Sequence, residues 1–156
     1  SVSMTTRAPR ANEIDGEHYF FVTPEEFSQH LKRDNFLEHA TFVNNSYGTP
    51  KDHVLSLLNA GRNVLIEIEV QGAKMLLENT SPNDVISFYI MPPSVDALIE
   101  RLRGRGTEDE ATIQKRAAKF SEEIAFKDQY QHAIINDDLT MCISEIKAII
   151  RQRINE

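Results

Sequence analysis

The run Val85-Ile86-Ser87-Phe88-Tyr89-Ile90-Met91-Pro92-Pro93-Ser94 decides the fold class. Its first seven residues are nearly all apolar and rich in β-branched and aromatic types, which predicts a short strand rather than a helix. A near-continuous apolar strand fits a position buried on both faces of a parallel sheet. Pro92-Pro93 ends it, and Ser94 can cap a helix carrying Val95, Leu98 and Leu102. A strand feeding directly into a helix is the building unit of an α/β fold.

The same grammar extends in both directions. Upstream, Val64-Leu65-Ile66 followed by Glu67-Ile68-Glu69-Val70 predicts a strand that starts fully apolar and then alternates. Downstream, His132-Ala133-Ile134-Ile135-Asn136 predicts another. Between them, Thr107-Glu108-Asp109-Glu110 reads as a capping box opening a helix with Ile113, Ala117, Phe120 and Ile124 on one stripe. The last helix shows Leu139, Cys142, Ile143, Ile146, Ile149, Ile150 and Ile154 at helical spacing. Gly104 and Gly106 are expected to interrupt the helix begun at Ser94, leaving Arg101, Arg103 and Arg105 in a mobile basic loop.

Residues 5–50 have a different texture, with shorter strands and more turns, and read as an inserted lobe. Tyr19-Phe20-Phe21-Val22 and Phe36 to Val43 are its strands, with Tyr47 close behind. Thr23-Pro24-Glu25-Glu26 combines a capping box with a first-turn proline and predicts a helix to about Arg33. Thr49-Pro50 repeats the cap-plus-proline pattern ahead of Val54, Leu57 and Leu58, with Gly61 as the stop. Ser1-Val2-Ser3 reads as the tail of a strand, which suggests a fragment.

Composition narrows the class. The chain has 156 residues, 40% hydrophobic and 26% charged, as expected for one globular domain. A single cysteine, Cys142, excludes an internal disulfide framework, and no spacing suits a structural zinc site. No apolar run reaches the roughly 18 residues of a membrane span, and there is no signal peptide, so a cytoplasmic location is expected. The net charge of −7 opposes non-specific nucleic-acid binding, whereas the local arginine groups suit a small anionic ligand.

Four groups of residues carry chemistry. Arg7 and Arg10, separated by a rigid proline in Thr5-Thr6-Arg7-Ala8-Pro9-Arg10, can converge on one anion through their guanidinium forks, or can be two solvated arginines. Tyr19 and Tyr47 can donate to a phosphate, and Glu38 can accept two parallel hydrogen bonds from a base edge. Guanine offers that donor pair, N1–H beside the 2-amino group, and adenine does not; the alternative is an ordinary strand glutamate between half-buried tyrosines. Glu67 and Glu69, two apart on the expected strand, share a face near Gln71-Gly72 at a strand end, where ligands bind in open α/β sheets, or form a merely polar strand end. Arg101, Arg103, Arg105 and, further on, Arg116 can neutralise charge during phosphoryl transfer, or can complement a helix dipole. The five histidines are scattered, and no GxxxxGK[ST] motif occurs.

Taken in order, these stretches resemble guanylate kinase over effectively the whole chain. The resemblance rests on Thr5-Thr6-Arg7-Ala8-Pro9-Arg10 with Glu13, Gly16 and Tyr19 to Val22; Phe36-Leu37-Glu38; Tyr47-Gly48-Thr49; Gln71-Gly72; Pro92-Pro93-Ser94; Arg101 to Thr107; and Asn136-Asp137-Asp138-Leu139. It implies a P-loop kinase-like parallel sheet with helices on both faces, a small GMP-binding lobe over 5–58, a lid over 94–118 and a core from the remainder. It implies ATP + GMP giving ADP + GDP, with Mg²⁺ held mainly by ATP and the P-loop. Arg7, Arg10, Tyr19 and Tyr47 are then expected to hold the GMP phosphate. Ser3, Glu38, Thr49 and Glu69 are expected to read guanine. Arg101, Arg105 and Arg116 are expected to serve transfer, with Arg105 and Asn136 on the ATP side. No metal ligand is assigned, no nucleic-acid or membrane partner is expected, and the oligomeric state stays open.

Three departures accompany the resemblance. The family's first strand and P-loop have no counterpart in the 156 residues. Glu69 stands where aspartate is usual, and Met4 and Asn44-Asn45-Ser46 differ from the commoner pattern beside the expected pockets. The alternative function is a non-catalytic guanylate-kinase-like domain that binds protein partners; near-complete retention of the GMP residues favours the enzyme.

Overall fold

The computed structural model describes residues 1–42, 44–106 and 108–154, in two compact units, Ser1–Ser81 and Pro82–Glu156.

The first unit is built on a four-stranded sheet. Its strands are β1 (Ser3–Thr5), β2 (Tyr19–Phe21), β3 (Phe36–Phe42) and β4 (Asn45–Pro50), in the spatial order β2-β1-β4-β3. β1 runs parallel to β2 and antiparallel to β4, and β4 is antiparallel to β3. Helix α1 (Pro24–Lys32) starts as the sequence predicts. The Thr23 hydroxyl accepts from the Glu26 N–H at 3.2 Å, while the Glu26 carboxylate accepts from the Thr23 N–H at 2.8 Å. Phe27 of α1 stacks on Phe36 at 4.6 Å, and Met4 joins them, with Phe20 and Val22 packed alongside. This apolar face explains Gly48, where a Cβ would lie 2.7 Å from the Phe36 ring. It also relocates Met4, which is buried in the core and not beside the expected base pocket.

Two expectations in this unit are corrected. Helix α2 (Lys51–Asn59) follows Pro50 without a side-chain cap, because the Thr49 hydroxyl is committed to Glu38. Gly61 does follow α2 with a left-handed φ of 72°. The predicted strand at Val64–Val70 does not form a ladder. Residues 62–69 are without assigned regular structure, and α3 (Val70–Glu78) begins where the strand was expected to end. The apolar run supplies period-2 alternation, with Leu65 81% exposed between half-buried Val64 and Ile66, but hydrophobicity cannot supply a hydrogen-bonding partner.

The second unit holds a parallel pair, β5 (Phe88–Met91) and β6 (His132–Ile135), in register from Phe88↔His132 to Met91↔Ile135. β5 starts later than its apolar run because the Ser87 N–H donates to the Gln131 Oε1 at 2.9 Å instead of to a strand. Ser94 caps α4 (Val95–Arg105) by accepting from the Ala97 N–H. Gly104 lies inside that helix and only Gly106, at φ 65°, ends it. Arg101, Arg103 and Arg105 therefore sit on its last turns rather than in a mobile loop. Helix α5 (Glu110–Glu123) is capped by Asp109, and the expected cap Thr107 lies outside the described residues, as does Val43 of the expected strand. A 3₁₀ turn (Ile124–Gln129) leads to β6, and α6 (Leu139–Ile154) follows, its Cys142 buried but Leu139 63% exposed. No helix among the described residues is long and apolar enough to cross a membrane.

Candidate functional site

Alternation along the four strands sorts the sheet's two faces. Ser3 and Thr5, Tyr19 and Phe21, Glu38 and Ala40, and Tyr47 and Thr49 point away from the apolar core. The register Ser3↔Tyr19, Met4↔Gly48 and Glu38↔Thr49 places Tyr19, Ser3, Thr49 and Glu38 in one row across β2, β1, β4 and β3. Tyr47 stands two residues along β4 from Thr49, about 7 Å on the same face.

Glu38 is the charged end of that row and is only 3% exposed. Its Oε1 accepts from the Thr49 hydroxyl at 2.5 Å, and Thr49 Oγ1 lies 3.5 Å from Ser3 Oγ. Its Oε2 lies over Gly72 in the first turn of α3, so closely that a Cβ there would collide with it. Burial pushes the Glu38 carboxyl above its usual range; the Thr49 hydrogen bonds oppose this and the Glu69 charge adds to it. The first turn of α3 covers this carboxylate. Glu69, directly before α3, is near enough to act on Glu38 electrostatically, and Glu67 acts instead on Tyr19.

Arg7 gathers the second group. Its guanidinium lies over the Tyr19 ring at 5.4 Å and the Phe21 ring at 5.8 Å, and the Tyr47 hydroxyl is near enough to help keep it charged. Tyr19 and Tyr47 meet edge to face at 6.2 Å. Arg7 does not, however, share an anion with Arg10 in the expected way. Its Nη1 and Nη2 donate to Glu13 Oε2 and Oε1 at 2.9 and 2.8 Å. Arg10 contributes its backbone N–H, at 2.7 Å from Glu13 Oε2, and is itself exposed. These bonds hold the Glu13 carboxyl far down, at about 2, and hold Arg7 charged.

The remaining arginines lie in the second unit. Arg101 donates to the backbone carbonyls of Asn136 and Asp137 at 2.6 and 3.0 Å, which joins two predicted site residues through a structural contact. Arg116 pairs with Glu108 at 2.7 Å, Arg103 with Glu110 at 2.6 Å, and Arg105 is exposed at the end of α4. Sequence reasoning gave Glu13 and Gly72 no role, although both stand in the motifs. The signal for Glu13 was an acid three residues after Arg10 in a turn-rich segment. Gly72 carries no local signal, because its partner is 34 residues away.

The family model described as guanylate kinase matches residues 1–153. A guanylate kinase of Rickettsia bellii is 45% identical over 97% of this chain and 78% of its own length. One from Latilactobacillus sakei is 45% identical over 96% and 73%. A Mycoplasma mycoides guanylate kinase is 47% identical over 96% of this chain but only 50% of its own length. Among solved structures, guanylate kinase from Anaplasma phagocytophilum superposes with a TM-score of 0.79 at 34% identity, covering 97% of this chain and 73% of that one. A family model matching residues 1–153, relatives about 45% identical over nearly the whole chain and a matching backbone make the chain a member of the guanylate kinase family, with the P-loop kinase-like α/β fold its sequence implied.

Proposed function

We propose that the first unit binds GMP and that the protein, as a cytoplasmic guanylate kinase, transfers a phosphoryl group from ATP to GMP. The observation that carries this is the row Tyr19-Ser3-Thr49-Glu38, with Arg7 and Tyr47 one step along the same face. Arg7, Tyr19 and Tyr47 take the phosphate, with Arg10 swinging in from solvent. Ser3, Thr49, Glu69 and above all Glu38 take the base. Each carboxylate oxygen of Glu38 keeps a lone pair beyond its present contact. Guanine N1–H and its 2-amino group supply the two donors. The base reaches them once the first turn of α3 draws back from Glu38.

In the reaction a GMP phosphate oxygen attacks the γ-phosphorus of ATP, and the bond to the ADP oxygen breaks. Positioning and charge neutralisation dominate such a step. Arg105 is the exposed donor for those charges, and Arg116 joins it on leaving Glu108. Arg101 acts by holding the Asn136 turn, on the ATP side. The resemblance implies Mg²⁺, yet no three His, Cys, Asp or Glu side chains gather as a cation site among the described residues. The resemblance places it mainly on ATP and the P-loop.

Calorimetry on the 156-residue chain tests the binding half. GMP is expected to bind and AMP to bind far more weakly; equal affinities would refute the assignment of Glu38. Arg7→Lys keeps the charge but loses the planar fork, so GMP affinity is expected to fall about 10-fold or more. Unchanged affinity in that variant would remove Arg7 from the phosphate site.

A further inference from the structure

The hydrogen bonds of Arg7 show which edge of its guanidinium is committed. A guanidinium has five N–H donors in a rigid plane. Glu13 spans Nη1 and Nη2 and so closes the end edge of the fork. The second Nη1 hydrogen goes to the Ala8 carbonyl at 2.7 Å. What these bonds leave is Nε–H and the outer Nη2–H, which point the same way along the side edge. That edge is itself a complete bidentate fork. The Tyr19 and Phe21 rings lie against the same guanidinium, at 5.4 and 5.8 Å.

We propose that Glu13 is a positioning residue for nucleotide binding: it grips Arg7 by its end edge, so that the side edge, Nε and Nη2, is presented to the GMP phosphate. The proposal rests on Arg7 being a phosphate ligand. Glu13 suits the task because it is tied three ways. Besides the two bonds from Arg7 it accepts the Arg10 N–H, which closes the turn from residue 7 to residue 13 around the carboxylate. The pair is largely sheltered, with side-chain exposures of 17% for Arg7 and 14% for Glu13. An arginine without this grip rotates freely about its long side chain and loses entropy on capture of an anion; one already held does not. A carboxylate is also needed rather than a neutral amide. It accepts from both guanidinium nitrogens at once, whereas Gln offers one acceptor oxygen and a nitrogen that would face Nη as a second donor.

The test compares GMP with guanosine, so that the phosphate contribution is isolated. Calorimetry is run on the 156-residue chain and on Glu13→Gln, Arg7→Ala and the double variant. Glu13→Gln is expected to weaken GMP about 10-fold or more, the scale of one hydrogen bond to a charged group, and to leave guanosine unchanged. In the Arg7→Ala background the Glu13 change is expected to have no further effect on GMP, the signature of action through Arg7. Glu13→Asp, which keeps the charge and shortens the reach, is expected to fall between and serves if the Gln variant folds poorly. Equal loss of GMP and guanosine in Glu13→Gln would reduce Glu13 to a structural tie and overturn the proposal. So would unchanged or tighter GMP binding, which would mark the carboxylate as a competitor of phosphate. If Arg7→Ala leaves the GMP-to-guanosine ratio intact, the phosphate reading of Arg7 fails, an outcome distinct from a failure of Glu13 alone.

Discussion

Glu38→Gln is expected to cost about 1.5–3 kcal/mol of GMP binding, roughly 10- to 150-fold, and to collapse the preference for GMP over AMP. Gln keeps one acceptor but turns a donor toward the two guanine donors, so at least one contact becomes repulsive. Calorimetry with both nucleotides reads this directly, and an unchanged GMP-to-AMP ratio would show that another residue reads the base. The pH dependence has a definite sign. Burial raises the carboxyl above the ordinary 4.5, so the folded state holds a proton over a window that begins at 4.5 and ends at the raised value. This group's contribution to stability therefore falls as pH rises through that window. GMP affinity moves the opposite way, because two donors need an ionised acceptor. Acidification is thus expected to weaken GMP while relieving the buried charge, and Glu38→Gln should remove both dependences.

Gly72→Ala tests the same carboxylate by shape. At a helical position alanine normally gains about 1 kcal/mol over glycine. The atoms nearest the added Cβ belong to the outer part of the long Glu38 side chain, which can turn aside, so the fold is expected to survive or gain stability. The carboxylate, however, must leave its place against Thr49, and a displacement of about 1 Å at a recognition group can cost on the order of 10²-fold. A more stable protein with lost GMP affinity is the expected pair of results. Gly104→Ala, where a Cβ meets nothing, is the control. Full GMP affinity in Gly72→Ala would mean that Glu38 works equally well from another position.

What the sequence could tell follows from the range over which each signal acts. The α1 start, the α4 cap and the stop at Gly61 were legible because capping side chains bond backbone within a few residues. The polar face was legible in principle from alternation in Ser3-Met4-Thr5 and Tyr47-Gly48-Thr49, where every second residue is polar and its neighbours lie in the core. The same local logic failed at Thr49-Pro50. A threonine before Pro-Lys-Asp reads as a cap until β3 brings Glu38 beside it, and a charged acceptor outcompetes a helix N–H. It failed again at Val64–Val70, since a strand is a relation between two segments and only one of them is in view. At Gly104 a helix-weakening residue was read as a break, although α4 runs on through Arg105 and closes at Gly106, whose left-handed backbone is the actual stop. The site residues came from the family resemblance more than from spacing, and Glu13 and Gly72, quoted in it without a role, contact residues it did name.

The largest effect expected concerns turnover. The 156-residue chain by itself is expected to bind GMP without making ADP and GDP at a kinase rate. Transfer needs the β- and γ-phosphates of ATP fixed by a cradle of backbone N–H groups and a lysine, and no GxxxxGK[ST] stretch occurs in these residues to provide one. The arginines do not replace it. Arg101 is committed to two backbone carbonyls and Arg116 to Glu108, which leaves Arg105 as an exposed charge on a long, mobile side chain. One such charge can neutralise a phosphate oxygen but cannot hold the donor in line with the acceptor, and orientation alone is worth about 7–11 kcal/mol in a reaction of this kind. A coupled assay of ADP release, on chain whose length is verified by mass spectrometry, provides the measurement. The expected rate lies at least about 10³-fold below the usual 1–100 s⁻¹ of kinases, with GMP affinity intact in the same sample. GMP-dependent ADP release within that usual range would show that residues of this chain cradle the ATP phosphates without the motif. The search would then begin with backbone N–H groups near Arg105 and Arg116.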